Sequence, residues 1–449
     1  PNWVLRDFCM QPSGPVCAIF NASIREGFVP ARWKEANVIP VPKVQPPKSV
    51  ESDLRPISLT ATLGKLLESF VGGWMLGRIV DKLDDHQYGG LKRRSTTHAL
   101  VDMLHHWHNV ADKGQSARVV FIDFAKAFDH VDHNILVAKL LAYDLPDIII
   151  RWMMSFLADR RQRVKIGDNL SAWLKMAAGM PQGSFLGPLT FIILIDNLRA
   201  ACLTHKFVDD TTLTEILNRG AGSSMQAIVD DLVQQAADNA MNVNGRKTKE
   251  LLIGPISRVP PPPLTVAGAN VERVDSFKLL GVHVSSDLKW TQHVDAMYSK
   301  VASRLHFLKQ LARSGASRED LLCFYTTAVR PVLEYACPVW HSSLTAADSA
   351  ALESLQKRAM RIIHPQLDYK TAICLDDLDP LKTRRETLTE KFFLTNILKS
   401  NSCLHYLLPE PRDPNIINRL RHPMQYEQMP SRTEKFRKSC LPYCISKFQ

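Results

Sequence analysis

Two short apolar segments that carry aspartate constrain this chain more than any other feature. Val119-Val120-Phe121-Ile122-Asp123 is a run of β-branched and aromatic residues that stops on a carboxylate. Lys206-Phe207-Val208-Asp209-Asp210-Thr211-Thr212-Leu213 is equally β-rich and is interrupted by two acids. The first reads as a buried strand, the second as a tight hairpin. A fold that accepts both gathers carboxylates at the ends of rigid β elements. Such acids repel one another and raise their pKa values unless a cation sits among them. An isolated Asp-Asp pair is ordinarily a solvated turn. The apolar β surroundings at both places set these apart.

The rest of the chain divides into a mixed α/β part followed by an all-helical part. Residues 1–36 look helical, and Val38-Ile39-Pro40-Val41-Pro42-Lys43 is an extended segment in which the prolines forbid a helix. A polar, Pro-rich loop leads to Asp53. Residues 57–83 and 95–111 have helical spacing, the second from a Ser95 or Thr96 cap. Helices are expected over 132–143 and 147–158, and a Gly179–Gly183 turn opens a long apolar helix. Ser224 to Met241 puts Met225, Ile228, Val229, Leu232, Val233 and Ala236 on one face. Pro260–Pro263 is a rigid spacer before a hairpin around Gly268-Ala269 and a strand from Phe277 to Val282. Beyond Trp290 the spacing is helical: 291–313, a helix begun by a Ser317-x-x-Asp320 box, and 346–363 with Lys357, Arg358 and Arg361. After about 370 the pattern mixes helix and loop.

At 449 residues the chain exceeds one compact core, so two or three domains are expected. No apolar run approaches the roughly 18 residues of a membrane span. There is no secretory leader, and the opening Pro-Asn-Trp without Met suggests a piece of a longer product. The excess of 56 basic over 45 acidic residues, +11 in all, favours a polyanionic partner. Nine cysteines contain no CxxC pair, and Cys440 and Cys444 lack further ligands for zinc, so reduced thiols are the reading.

The motifs are ordered. Residues 121–129 (FIDFAKAFD), 179–188 (GMPQGSFLGP) and 207–210 (FVDD) resemble three successive palm motifs of reverse transcriptases. Upstream, 53–59 (DLRPISL), 87–90 (QYGG) and 95–97 (STT) look like fingers motifs; downstream, 244–248 (NGRKT) and 277–281 (FKLLG) match the closing palm motifs. The phrase DFAKAFDHVDH over 123–133 is especially similar to the jockey and chicken-repeat branches of LINE-type (non-LTR) retrotransposons. The likeness covers roughly residues 23–370.

The resemblance implies an α/β right-hand polymerase: an N-terminal extension (1–22), fingers and palm (23–285), a helical thumb (286–370) and a C-terminal tail (371–449). Within the second of these, fingers would come from about 37–115 and palm from 116–131 and 175–285. It implies an RNA-directed DNA polymerase that extends a DNA primer on an RNA template with dNTPs. Catalysis would fall to Asp123, Asp209 and Asp210, with Asp123, Phe124, Asp209 and Asp210 at two Mg2+ ions that Mn2+ could replace. Nucleotidyl transfer needs such cations to bridge the attacking hydroxyl, the α-phosphate and the leaving pyrophosphate. Lys43 and Arg55 match fingers cations for the triphosphate. Phe128 is placed as a steric gate against a ribose 2′-hydroxyl. Gln182 and Gly183 would lie beside the incoming nucleotide, and Lys247 near the pyrophosphate. Lys300, Arg304, Lys309 and Arg313 could track a duplex, although scattered helix charges are more often a solvated face. Work at chromosomal DNA after a cytoplasmic ribonucleoprotein stage is likewise implied by family alone. Val208 and Phe185 depart from the commonest residues at their places, but no acid is missing. Two rivals stand beside this reading: an inactive nucleic-acid-binding relic, and an RNA-directed RNA polymerase, which Phe128 opposes.

Overall fold

The computed structural model describes residues 2–413, 415 and 424–449. Two N-terminal helices, α1 (Asn2–Asp7) and α2 (Met10–Glu26), precede β1 (Glu35–Pro42), a single turn α3 (Val50–Asp53) and β2 (Leu54–Leu59). Helices α4 (Thr62–Ile79) and α5 (Thr96–Asp112) follow. The helical spacing over 57–83 therefore misassigns its first residues: Ile57–Leu59 belong to a strand. The cause is pairing, because β2 runs antiparallel to β1 from Asn37↔Leu59 to Pro42↔Leu54. The Lys43 amide bonds the Asp53 carbonyl at 2.7 Å. That contact makes Pro42↔Leu54, and by alternation Pro40↔Pro56, non-hydrogen-bonded pairs, where a proline loses no ladder bond.

Then come β3 (Ser116–Ile122), α6 (His133–Ala142), α7 (Asp147–Leu157), β4 (Arg161–Ile166), β5 (Asn169–Leu170), β6 (Leu174–Lys175) and α8 (Leu186–Ile195). β4 runs parallel to β1 and completes a first sheet with β2, β5 and β6. Next are β7 (Leu203–Phe207), β8 (Asp210–Leu217), α9 (Met225–Asp238) and β9 (Lys249–Ile253). A small hairpin, β10 (Thr265–Val266) and β11 (Ala269–Asn270), leads to β12 (Glu272–Arg273). The second sheet has the order β12-β9-β3-β8-β7. The expected strand over 277–282 is instead a hairpin, β13 (Ser276–Leu279) and β14 (Val282–Ser285). Leu280 (φ 45°) and Gly281 (φ 86°) take the left-handed backbone that reverses it.

β3 is the centre of the molecule. Every one of its residues is buried, and they alternate between two cores. Ala117, Val119 and Phe121 join α5 and the helical half; Val120 and Ile122 join α4, α6, α7, α8 and α9. Arg118 is buried too, and its charge is met by Glu250 of β9 at 2.5 Å. Glu250 also receives Arg273 at 2.6 Å. Both arginines reach the proline spacer, Arg118 donating to the Pro262 carbonyl and Arg273 to that of Pro261. A buried carboxylate shared by two guanidinium groups leaves no uncompensated charge in the sheet.

The helical half contains α10 (Thr291–Arg313), α11 (Arg318–Phe324), α12 (Arg330–Glu334), α13 (Cys337–Trp340), α14 (Ala346–Ile363), α15 (Tyr369–Leu375) and α16 (Leu381–Phe392). The Ser317 hydroxyl caps the Asp320 amide as its spacing predicts. Residues beyond 370 share this core: Cys440, Leu441, Cys444 and Ile445, on a terminal helix Cys440–Lys447, pack into it.

Candidate active site

The two acid-bearing β elements meet at one end of the second sheet. β3 pairs with β8 up to Ile122↔Thr211, so Asp123, just past the end of β3, lies beside Asp210, the first residue of β8. β7 and β8 pair up to Phe207↔Asp210, leaving Val208 and Asp209 as the two-residue turn. All three carboxyl groups are held above their ordinary range. Around Asp210, water displaced by protein acts first, then the charges of Asp209 and Asp123, and its pKa is pushed up to about 6. Asp209 rises through loss of water. Asp123 rises for the same reason and from Asp209, against the opposing pull of Lys247 and Lys43.

Oxygen donors held in mutual repulsion suit a hard divalent cation, which prefers carboxylates and keeps places for water and phosphate. Among the described residues, no three His, Cys, Asp or Glu side chains converge as a ready-made metal cage. The Phe124 ring is buried in the core, leaving only its backbone carbonyl as a donor. That carbonyl takes no part in the adjoining bridge, whose bonds run from Ala125 N–H to Asn242 and from Asn244 N–H to Asp123.

Phe128 is half-buried, its ring 5.1 Å from that of Phe191. The Gly179–Gly183 turn docks on the segment that carries it. Met180 N–H donates to the Phe128 carbonyl at 2.8 Å, Gly179 N–H to that of Val131 at 2.9 Å, and the Gln182 amide to Asp129 Oδ1 at 3.3 Å. Gly183 (φ 127°) admits a close approach, though from the protein itself: a Cβ there would stand 2.7 Å from the Ser58 carbonyl of β2. The Ser58 amide in turn bonds the Gln182 carbonyl at 2.7 Å. The first sheet is tied to the Gly179–Gly183 turn this way.

Lys43 and Lys247 are exposed and close enough to bias Asp123. Lys43 also donates to the Ser52 carbonyl at 2.9 Å. Arg55 is exposed on β2, opposite Val41.

Two supporting residues make contacts that sequence reasoning misses, although Gln87 lies in the 87–90 motif. Glu68, buried on α4, accepts from the Ser184 hydroxyl at 2.5 Å and the Phe185 amide at 2.8 Å, fixing the entry to α8. Gln87 is buried beneath the hairpin turn, where its Oε1 accepts the amides of Gly89 at 2.9 Å and Val208 at 3.1 Å. Val208 is left-handed (φ 58°), an unusual state for a β-branched residue. Gly89 lies so close that a Cβ would come within 2.5 Å of the Val208 nitrogen. Spacing gave no signal for the contacts of Glu68 or Gln87, which join residues about 120 positions apart.

A family model described as reverse transcriptase (RNA-dependent DNA polymerase) matches residues 41–284, more than half of the chain. The "Probable RNA-directed DNA polymerase from transposon BS" of Drosophila melanogaster is 27% identical over 77% of this chain and 40% of its own length. The RNA-directed DNA polymerase from mobile element jockey of the same fly is 24% identical over 72% of this chain and 37% of its own length. The chain thus spans two fifths or less of these relatives. Among solved structures, apo telomerase from Candida tropicalis aligns at a TM-score of 0.44 with 12% identity, over 80% of this chain and 63% of that one. The chain belongs to the reverse transcriptase family, and its relatives include the RNA-directed DNA polymerases of LINE-type, non-LTR retrotransposons.

Proposed function

We propose that this chain is an RNA-directed DNA polymerase that adds deoxynucleotides to a DNA primer on an RNA template. The observation that carries the reading is the placement of Asp123, Asp209 and Asp210 at the adjoining ends of β3 and the β7–β8 turn, where lost water raises all three pKa values and neighbouring carboxylates add to the rise at Asp210 and Asp123. Bound there, two divalent cations, Mg2+ by preference, would supply charge stabilisation at the α-phosphate and activate the primer hydroxyl. The protein's own part is positional. The turn that carries Gln182 docks on the backbone around Phe128, which supports Phe128 as the ring that would press on a sugar 2′-substituent. Lys43, Arg55 and Lys247 supply positive charge for a triphosphate and its leaving pyrophosphate.

In this reading the first sheet with α4 forms the fingers, the second sheet the palm, and the helices from α10 onward the thumb. RNA template, DNA primer and dNTPs are the partners. Nuclear work at chromosomal DNA after a cytoplasmic ribonucleoprotein stage goes with it.

The test is primer extension on an RNA template with Mg2+, comparing dNTPs, NTPs and an Asp209→Asn variant. Extension that needs dNTPs and vanishes in the variant supports the reading. Undiminished synthesis by Asp209→Asn would refute the metal assignment.

A further inference from the structure

Packed against β7, the strand that leads into the Val208–Asp209 turn, lies a buried polar cluster centred on a carboxylate. Asp102 of α5 is wholly buried. Its Oδ2 accepts from the Tyr88 hydroxyl, and its Oδ1 accepts from the Tyr406 hydroxyl at 2.6 Å. His106 Nε2 stands 3.3 Å from Oδ1, and His205 Nε2 stands 3.4 Å from Oδ2. His205 is itself buried, and neither of its ring nitrogens is aligned for a hydrogen bond. Its ring stacks on Tyr88 at 6.1 Å, and His86 packs against both His205 and Tyr406.

Each partner leads to the hairpin or away from it. His205 is in β7, four residues before Asp209. Tyr88 follows Gln87, which holds the Val208 amide, and the segment around them runs along β7: Tyr88 N–H bonds the Lys206 carbonyl at 2.8 Å, and Lys206 N–H that of His86 at 2.9 Å. Tyr406 comes from the far end of the sequence, in the turn His405–Leu407. It is not alone in reaching back. The helical half grips α5 along its length: Tyr335 donates to the Thr96 hydroxyl, Phe392 packs on His98, and the amides of Arg432 and Thr433 donate to Asp112. α5 is therefore the shared element between the C-terminal half and the strand that carries the catalytic turn.

We propose that Tyr406 is a positioning residue of the catalytic hairpin, acting through Asp102 and Tyr88 on the Gln87–Val208 contact. A fully buried carboxylate must have its acceptor capacity filled, so the cluster holds as a unit or loosens as one. Removing the Tyr406 donor leaves Oδ1 to His106 alone and frees Tyr88 and its segment to shift. Tyr406 is 55% exposed, so its ring can become that of Phe without opening a cavity. The inference rests on the polymerase reading for its kinetic arm only.

The test compares wild type with Tyr406→Phe by steady-state primer extension and by amide hydrogen exchange. The expected result is a fall in kcat of about 3- to 10-fold with KM for dNTP within about twofold, since small displacements of reacting groups act on the chemical step. Exchange over residues 203–213 should quicken several-fold while residues 346–363 keep their wild-type protection. Unchanged exchange at the hairpin overturns the proposal, as does loosening spread equally to 346–363, or an active wild type whose kcat survives the substitution. A wild type that fails to extend any primer refutes the polymerase reading instead, and the exchange comparison then still decides whether Tyr406 holds the hairpin.

Discussion

The Gln87 side chain accepts the Val208 amide at 3.1 Å, from a position 121 residues earlier in the chain. That bond, with the one from Gly89, fixes a β-branched residue in left-handed backbone directly before Asp209. Such a state persists only when its surroundings over-determine it. Gln87→Ala leaves two amides without their acceptor, at about 1–3 kcal/mol for a buried donor. The expected outcome is a kcat roughly tenfold lower with template–primer affinity unchanged, measured by single-turnover extension and filter binding. Equal kcat in the two proteins would show that the turn holds without its clamp.

The raised carboxyl groups make a prediction about pH. Asp210 has an ordinary value of 3.8 and sits at about 6 in the folded chain, through lost water and then Asp209 and Asp123. The folded state therefore holds this proton more tightly than the unfolded one. The destabilisation is absent below about pH 4, grows between 4 and 6, and is complete above 6. Asp210→Asn should raise the Tm of the cation-free protein at pH 7 and leave it unchanged at pH 3.5. For the wild type, the cation concentration for half-maximal activity should rise about tenfold per pH unit below 6, one proton being displaced. A cation requirement flat between pH 5 and 7 would contradict the crowding of these acids.

How much of this was legible in the sequence depends on distance along the chain. β3 and the acid-bearing hairpin announce themselves because each is a local pattern: β-branched residues, a period of two, and acids in an otherwise apolar run. α9 and α10 are legible for the same reason, through one apolar face each. Ile57–Leu59 is harder. Its apolar residues fit a helix until Pro40 and Pro56 are known to face each other across a ladder. Phe277–Val282 reads as one strand because nothing but Gly281 betrays the reversal. Glu68, Gln87 and Asp102 are ordinary polar residues on ordinary helices or loops, and their partners lie 116, 121 and 304 positions away. The second layer of the site is a product of tertiary contact, and no local pattern encodes it.

Phe128 tests the sugar preference. The ring is half-buried against Phe191, with the Met180 amide on its carbonyl, so backbone and ring share one fixed wall. Phe128→Ala removes the ring and leaves the backbone bond. Discrimination between dCTP and CTP, taken as a ratio of kcat/KM values, should fall roughly 10- to 100-fold, the span that shape selection of one small group affords. Because part of the ring is core, a loss of about 1–2 kcal/mol in stability should accompany it. A ratio unchanged from wild type would remove Phe128 from the sugar site.

A groove between α10 and α14 gives the last prediction. Its volume is about 700 Å3, and its lining includes Lys309, Arg313, Arg358 and Arg361, with His306 and no acid among the described residues. Single charges on a helix are usually solvated, but here four cations from two helices line one groove. Arg358 also touches the Tyr298 hydroxyl at 3.4 Å, which holds its guanidinium toward α10. If a nucleic-acid backbone lies here, each phosphate neutralised contributes about −0.9 to the log–log salt slope on a B-form duplex, and somewhat less on other forms. The double variant Arg358→Ala, Arg361→Ala should therefore flatten the slope by about 1.5–2 and weaken binding of an RNA–DNA hybrid at 50 mM salt more than at 300 mM. The effect should be the same for unrelated sequences, because phosphate contacts carry no base information. A slope identical to wild type would leave these arginines as solvated surface and send the search for the nucleic-acid track to another face.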